Sequence, residues 1–269
     1  MTSPPLLLAA ALDDPRLAAV ADDAGLDFVT LADDPLDATL VAARLAARTR
    51  RVGLLPGVST TTTEPFHVST AIATIDFVSG GRAGWVAEVA PSRDDADAQV
   101  TWDVPGNLVS DAREHLEAVR RLWDSWEDGA EIRDTTTDRF VDRERVHHIN
   151  YVGEHLAVRG PSITPRPPQG QPVIAVRERA LAAGADLWLT PDPGAPAVDG
   201  VLRILEVAGL DAVDAARDAG FDGVLLHGAD VDALAALAAL RSAPPAPAAS
   251  LRERLGLPPA TNRYAKAAA

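Results

Sequence analysis

The chain has no cysteine, a single methionine and, in Lys266, a single lysine. Without cysteine there is no disulfide, no thiolate nucleophile and no thiolate-bound metal. One lysine near the end of the sequence leaves no candidate for Schiff-base chemistry on a buried amine. Positive charge is scarce as a class, with 25 Lys and Arg against 39 Asp and Glu and a net charge of -14. A nucleic acid or an anionic membrane needs a basic face, so neither is an expected partner. No apolar run reaches the roughly 20 residues of a membrane span. The opening MTSPPLLLAAALDDP has an apolar centre but no basic residue before it. It therefore reads as a buried strand, not a secretory leader, and a cytoplasmic protein is expected. GxSxG, Walker and clean GxGxxG motifs are missing as well. His147-His148 lacks the spacing of metal ligands, so no metal site is expected.

What remains is a chain that is 47% hydrophobic, long enough for one α/β barrel of about 250 residues. Short apolar runs recur at 6–12, 27–32, 52–58, 83–89, 173–176, 186–190, 202–207 and 223–227. Helical patterns fall between them at 16–24, 36–49, 65–78, 108–126, 178–183, 212–219 and 231–240. Asp13-Asp14-Pro15 and Asp33-Asp34-Pro35 are helix starts, with an acidic cap and proline in the first turn. Eight runs alternating with helices give α/β architecture, a (β/α)8 TIM barrel with parallel strands. Residues 130–161 alternate weakly around Gly153-Glu154 and predict a β-hairpin excursion outside the barrel. Residues 91–107 are polar and predict a long loop. The domain expected is a single barrel over 1–243, followed by an Ala/Pro-rich tail over 244–269 with one short helical piece at 251–255.

Residues 52–85 organise this pattern. An apolar run ends in the hydroxyl cluster Ser59-Thr60-Thr61-Thr62-Thr63. Glu64-Pro65 then opens a helix, Ser79-Gly80-Gly81 stops it, and a new apolar run begins. That is one βαβ unit, with a right-handed crossover.

The string EPFHVSTAIATIDFVSGGRAGW in this stretch resembles the hallmark segment of the luciferase-like flavin monooxygenases, in the branch of nitrilotriacetate and dibenzothiophene-sulfone monooxygenases. LDFVTLADDP, LWDSWEDGA, VHHINYVGEHLAVRGPSITPRPPQGQPVI and LRERLGLPPATNRYA extend the resemblance over nearly the whole chain. It implies an FMN-dependent monooxygenase of a small organic substrate, fed with reduced FMN by a separate flavin reductase, and a homodimer paired through barrel helices. By the same resemblance Asp33 lies near the flavin and Thr60 or Thr61 touches its isoalloxazine. Such groups orient a flavin, while oxygen chemistry belongs to the cofactor.

In a barrel of this kind the site lies at the C-terminal ends of the strands. His227 closes the eighth run there and is the best single candidate for polar contact with a ligand. A ligand rim and a set of helix caps share the same residue types, and Asp13 and Asp34 read better as caps, because cap preference alone explains them. The family's Asn and Thr-Ser after GRAGW are replaced here by Val86-Ala87-Glu88-Val89-Ala90. Its Gly- and Ser-containing phosphate loop is replaced by Val176-Arg177-Glu178-Arg179, where Arg177 or Arg179 is left to pair with a phosphate. These departures favour two alternatives: a non-catalytic member kept as a partner subunit or ligand-binding barrel, and an oxidoreductase using a deazaflavin.

Overall fold

The computed structural model describes residues 6–33, 35–241 and 249–265. Eight parallel strands close a barrel in the order β1 (Leu7–Leu12), β12 (Gly223–Leu226), β11 (Leu202–Val207), β10 (Leu187–Thr190), β9 (Val173–Val176), β4 (Gly84–Glu88), β3 (Gly53–Ser59) and β2 (Phe28–Leu31). The eight apolar runs of the sequence are these eight strands, each within a residue or two of its expected bounds. Around them lie α1 (Ala18–Asp23), α2 (Ala38–Ala46), α3 (Pro65–Ser79), α4 (Arg93–Asp97), α5 (Leu108–Asp124), α6 (Ala212–Asp218) and α7 (Val231–Ala239). The fold is the expected (β/α)8 barrel.

Local structure departs from the sequence pattern where short-range capping wins over apolar spacing. The polar stretch 91–107 contains α4, because Ser92 accepts the Asp95 N–H at 3.2 Å and starts a turn. The helix expected over 178–183 is a 3-10 turn at Arg179–Gly184. It is too short for an α-helical dipole to develop. The excursion after α5 is two hairpins, β5 (Glu131–Asp134) with β6 (Arg139–Val141) and β7 (Tyr151–Val152) with β8 (Ala157–Val158). Asp14 caps the turn at Pro15–Leu17. Asp37 caps α2 through Thr39 and Leu40. Asp34 lies outside the described residues.

The hallmark string proves to be a structural knot. Gly80 ends α3 in the left-handed region at φ 68°. Next to it, Arg82 donates to the Ser79, Val52, Ala46 and Thr49 carbonyls at 2.7–3.0 Å. Asp76, buried beneath, accepts from Ala83 N–H and from both the backbone and side chain of Gln169. Burial pushes its carboxyl up to about 6 despite these donors. The string thus ties the loops at the N-terminal ends of β3 and β4 together, far from the strand ends where chemistry sits.

Two apolar layers result. One lies between strands and helices. The other fills the barrel, with Ala9, Phe28, Leu55, Val86, Ala175, Leu189 and Leu225 pointing inward. The inner layer is closed from below by α8 (Leu251–Arg254). Leu251 is fully buried there, and a Cβ on Gly53 would meet its methyl groups at 2.6 and 2.8 Å. Arg252 anchors the plug, donating to Asp186 Oδ1 at 2.8 Å and the Gln171 carbonyl at 2.8 Å. Composition alone marks this segment as tail; packing makes it the floor of the barrel.

Leu251→Ala should therefore cost about 2–5 kcal/mol, the range for a buried leucine whose surroundings cannot collapse. Urea unfolding monitored by circular dichroism measures it. A loss below about 1 kcal/mol would mean that the plug is not part of the core.

Candidate active site

Alternation along each strand decides what faces the mouth. Continuing the inward positions past the apolar layer brings Glu88 from β4, Arg177 just beyond β9, Glu206 from β11 and His227 just beyond β12 to one level. They are bonded in series. Arg177 donates from Nη1 to Glu88 Oε1 at 3.2 Å and from Nε to Glu206 Oε1 at 3.0 Å. His227 Nε2 lies 3.1 Å from the same Glu206 oxygen. An ion chain thus runs from β4 to β12, across five of the eight strands, above an apolar interior.

The two carboxylates are driven apart. Burial raises Glu88, with Arg177 opposing and Asp33 and Glu178 adding repulsion. Burial also opposes ionisation of Glu206, but the hydrogen bonds and charges of His227 and Arg177 outweigh it and hold this carboxyl below its usual range. Glu88 folds over β3, where a Cβ on Gly57 would lie 2.7 Å from its Oε1. Glycine at 57 is what admits the carboxylate.

The residues singled out in the sequence are dispersed around this chain. Arg177 and His227 are joined through Glu206. Asp33 is exposed on the rim and accepts the Ala38 N–H at 2.8 Å. It lines a separate cavity of about 350 Å³ with Asp37, Thr63 and His67. Thr60 and Thr61 are buried. Thr60 donates from N–H and hydroxyl to the Glu88 carbonyl, and both line another cavity beside α5. Glu206 was not singled out, since it stands within an apolar run with no motif around it. Its only signal was a charge at an inward strand position. His115, buried on α5 one turn beyond Asp111-Ala112-Arg113, was missed in the same way.

An FMN phosphate needs free N–H groups or unpaired cations. Here Arg177 is engaged by two carboxylates, and Arg179 lies over the Trp188 ring at 5.1 Å. The six-residue 3-10 turn after Glu178 has no side-chain cap. Two of the five Arg177 N–H donors are thus taken, and a phosphate would compete with Glu88 and Glu206 for this guanidinium. Among the described residues no group of three His, Asp or Glu is placed to hold a metal ion, and no helix is long and apolar enough to cross a membrane.

The luciferase-like monooxygenase family model matches residues 10–189. The chain belongs to this family. One of the subunits of pristinamycin IIA synthase from Streptomyces pristinaespiralis is 36% identical over 266 residues, covering 93% of this chain and 90% of that protein. The dibenzothiophene-sulfone monooxygenase of Rhodococcus erythropolis is 42% identical over 144 residues, covering 52% of this chain but only 31% of that enzyme. Among solved structures, the EDTA monooxygenase of Chelativorans sp. BNC1 has a TM-score of 0.73 at 18% identity, covering 95% of this chain and 99% of that one. This last likeness is one of fold. The chain thus spans nearly all of one relative and about a third of the length of the dibenzothiophene-sulfone monooxygenase.

Arg177→Met should destabilise the barrel by about 1–2 kcal/mol at pH 7, after allowance for solvent screening of a partly exposed ion pair. Glu206 is held below 4.5, its ordinary value. The stabilisation is therefore complete above pH 4.5 and is lost as pH falls through the lower folded-state value. Melting temperatures of wild type and variant should differ at pH 7 and converge towards pH 3. Equal melting at pH 7 would remove the ion chain from the stability of the fold.

Proposed function

We propose that this chain is the smaller subunit of an FMN-dependent, two-component monooxygenase that oxidises a small organic substrate. Reduced FMN comes from a separate flavin reductase, and a longer luciferase-like chain holds the flavin. The observation that carries this reading is the ion chain Glu88–Arg177–Glu206–His227, which ties Arg177, the residue left to pair with an FMN phosphate, to two carboxylates. Two further facts favour it. The relative matched almost end to end is by name a subunit of a synthase, and the dibenzothiophene-sulfone monooxygenase is about three times as long as the stretch it shares with this chain. When bound, flavin supplies the oxygen chemistry, so the protein needs no nucleophile of its own. This chain's contribution is a rigid barrel, closed above by ions and below by Leu251, that completes the assembly.

Leu36, just before α2, and Leu40 within it expose apolar side chains at one end of the barrel, and Phe77 and Val78 at the end of α3 expose others at the opposite end. They support pairing with a second barrel. A homodimer and a deazaflavin enzyme are the competing readings; neither accounts for the ion chain.

Reconstitution tests the proposal. Purified alone with a flavin reductase, FMN, NADH and oxygen, the chain should consume no substrate of its longer partner. Mixed one to one with that partner, it should raise turnover at least about tenfold and elute with it as one complex. Substrate oxidation by this chain alone would overturn the reading.

A further inference from the structure

Beside the mouth, on the α5 side, lies a cavity of about 190 Å³ that shares no residue with the ion chain. A cavity of about 150 Å³ holds benzene, so this one takes a molecule slightly larger. Its wall includes Thr60, Thr61, Trp102, Asp111, His115 and His155.

These residues are brought together by construction. Asp111, Glu114 and His115 stand three and four apart and share a face of α5. Glu114 accepts the N–H groups of Glu154, His155 and Leu156 at 2.6, 2.9 and 3.3 Å, clamping the β7–β8 turn onto the helix. A Cβ on Gly153 would lie 2.2 Å from that carboxylate, so only glycine allows the clamp. The clamp sets His155 close enough to Asp111 to act on its charge.

The cavity is left chemically unfinished. His115 is 1% exposed and packs against Trp85 at 5.6 Å between ring centroids. The Nε2 atoms of both His115 and His155 are buried and have no hydrogen-bond partner among the described residues. An unpartnered imidazole nitrogen on each of two lining residues requires an explanation. The lining has no Arg or Lys, whereas Asp111, Glu64 and Asp103 all border it. Half-exposed Trp102 offers an aromatic face at the edge.

We propose that this cavity binds a small organic cation, a primary ammonium on an apolar body, with Asp111 as counter-charge and Trp102 against the ligand. Three N–H donors meet a carboxylate, two imidazoles and two threonine hydroxyls, so the ligand supplies what the wall lacks. An anion would face three carboxylates. The three-residue geometry of a metal site is not formed among the described residues. The cavity shares no residue with the ion chain, and binding is probed without flavin or turnover, so failure of this proposal and failure of the flavin reading are distinguishable.

Asp111 also sets the pH response. Desolvation raises its carboxyl to about 6, with His155 opposing and Glu114 adding to the rise. His115 on the same helix is held neutral by burial, down to about 3. Glu64 at the start of α3 and Asp103 in the preceding loop are the remaining charges facing it. Ammonium binding should therefore weaken as pH falls through about 6, because the counter-charge is neutralised.

Benzylamine, benzyl alcohol and benzoate, nearly equal in size, form the test, titrated by calorimetry into the full chain at about 0.15 M salt. Benzylamine should bind saturably and at least about tenfold more tightly than benzyl alcohol, with no binding of benzoate. Asp111→Asn should weaken benzylamine at least about tenfold, and Trp102→Ala a few-fold. Equal binding of benzoate, no saturation by benzylamine, saturation by Zn2+ in its place, or unchanged affinity in Asp111→Asn would each overturn the proposal. If Asp111→Asn does not fold, unchanged affinity in Trp102→Ala overturns it.

Discussion

Closure of eight parallel strands stacks their inward side chains in layers, each drawn from alternate strands, and the chemistry of successive layers decides what the molecule can do. At the floor and middle, Leu251, Phe28, Leu55 and Leu225 make a dry core. At the top, four inward positions carry charge or imidazole, and none has bulk water on all sides. Such groups satisfy one another or cost stability. Glu88, Arg177, Glu206 and His227 do so in series. That mutual satisfaction sets two carboxylates in competition with a phosphate for Arg177.

This separates ancestry from activity within one sequence. The string at 64–85 identifies the family because it builds a device at the N-terminal ends of the strands: a left-handed Gly80, an Arg82 fan of carbonyl contacts and a buried Asp76. Its geometric demands are independent of what binds at the opposite end. The family's marker can thus persist while the strand ends carry a different set of groups.

Much of the architecture was legible because buried parallel strands are written as continuous apolar runs, and all eight are such runs. The ends of helices were less legible, since capping by Ser92 and Asp37 depends on which of several neighbouring polar residues turns inward. The plug was hidden for a related reason: Leu251 and Leu255 lie in an Ala/Pro-rich context whose composition suggests solvent. Site residues fared unevenly. Arg177 and His227 could be placed from strand ends and do meet, whereas Asp33 and the Thr60–Thr61 pair face other cavities. Their partners Glu206 and His115 carry no motif. A lone charge inside an apolar run is the signal for the first, and a histidine within four residues of three carboxylates on one helix is the signal for the second.

A family barrel whose mouth is bridged by its own ions should leave flavin to another chain. Anaerobic titration of the isolated protein with reduced and oxidised FMN, followed by absorbance and calorimetry, addresses this most directly. No saturable binding below about 1 mM is expected for either form. Stoichiometric binding at micromolar concentration would show that the Arg177 network opens for the phosphate, and would return the flavin site to this chain.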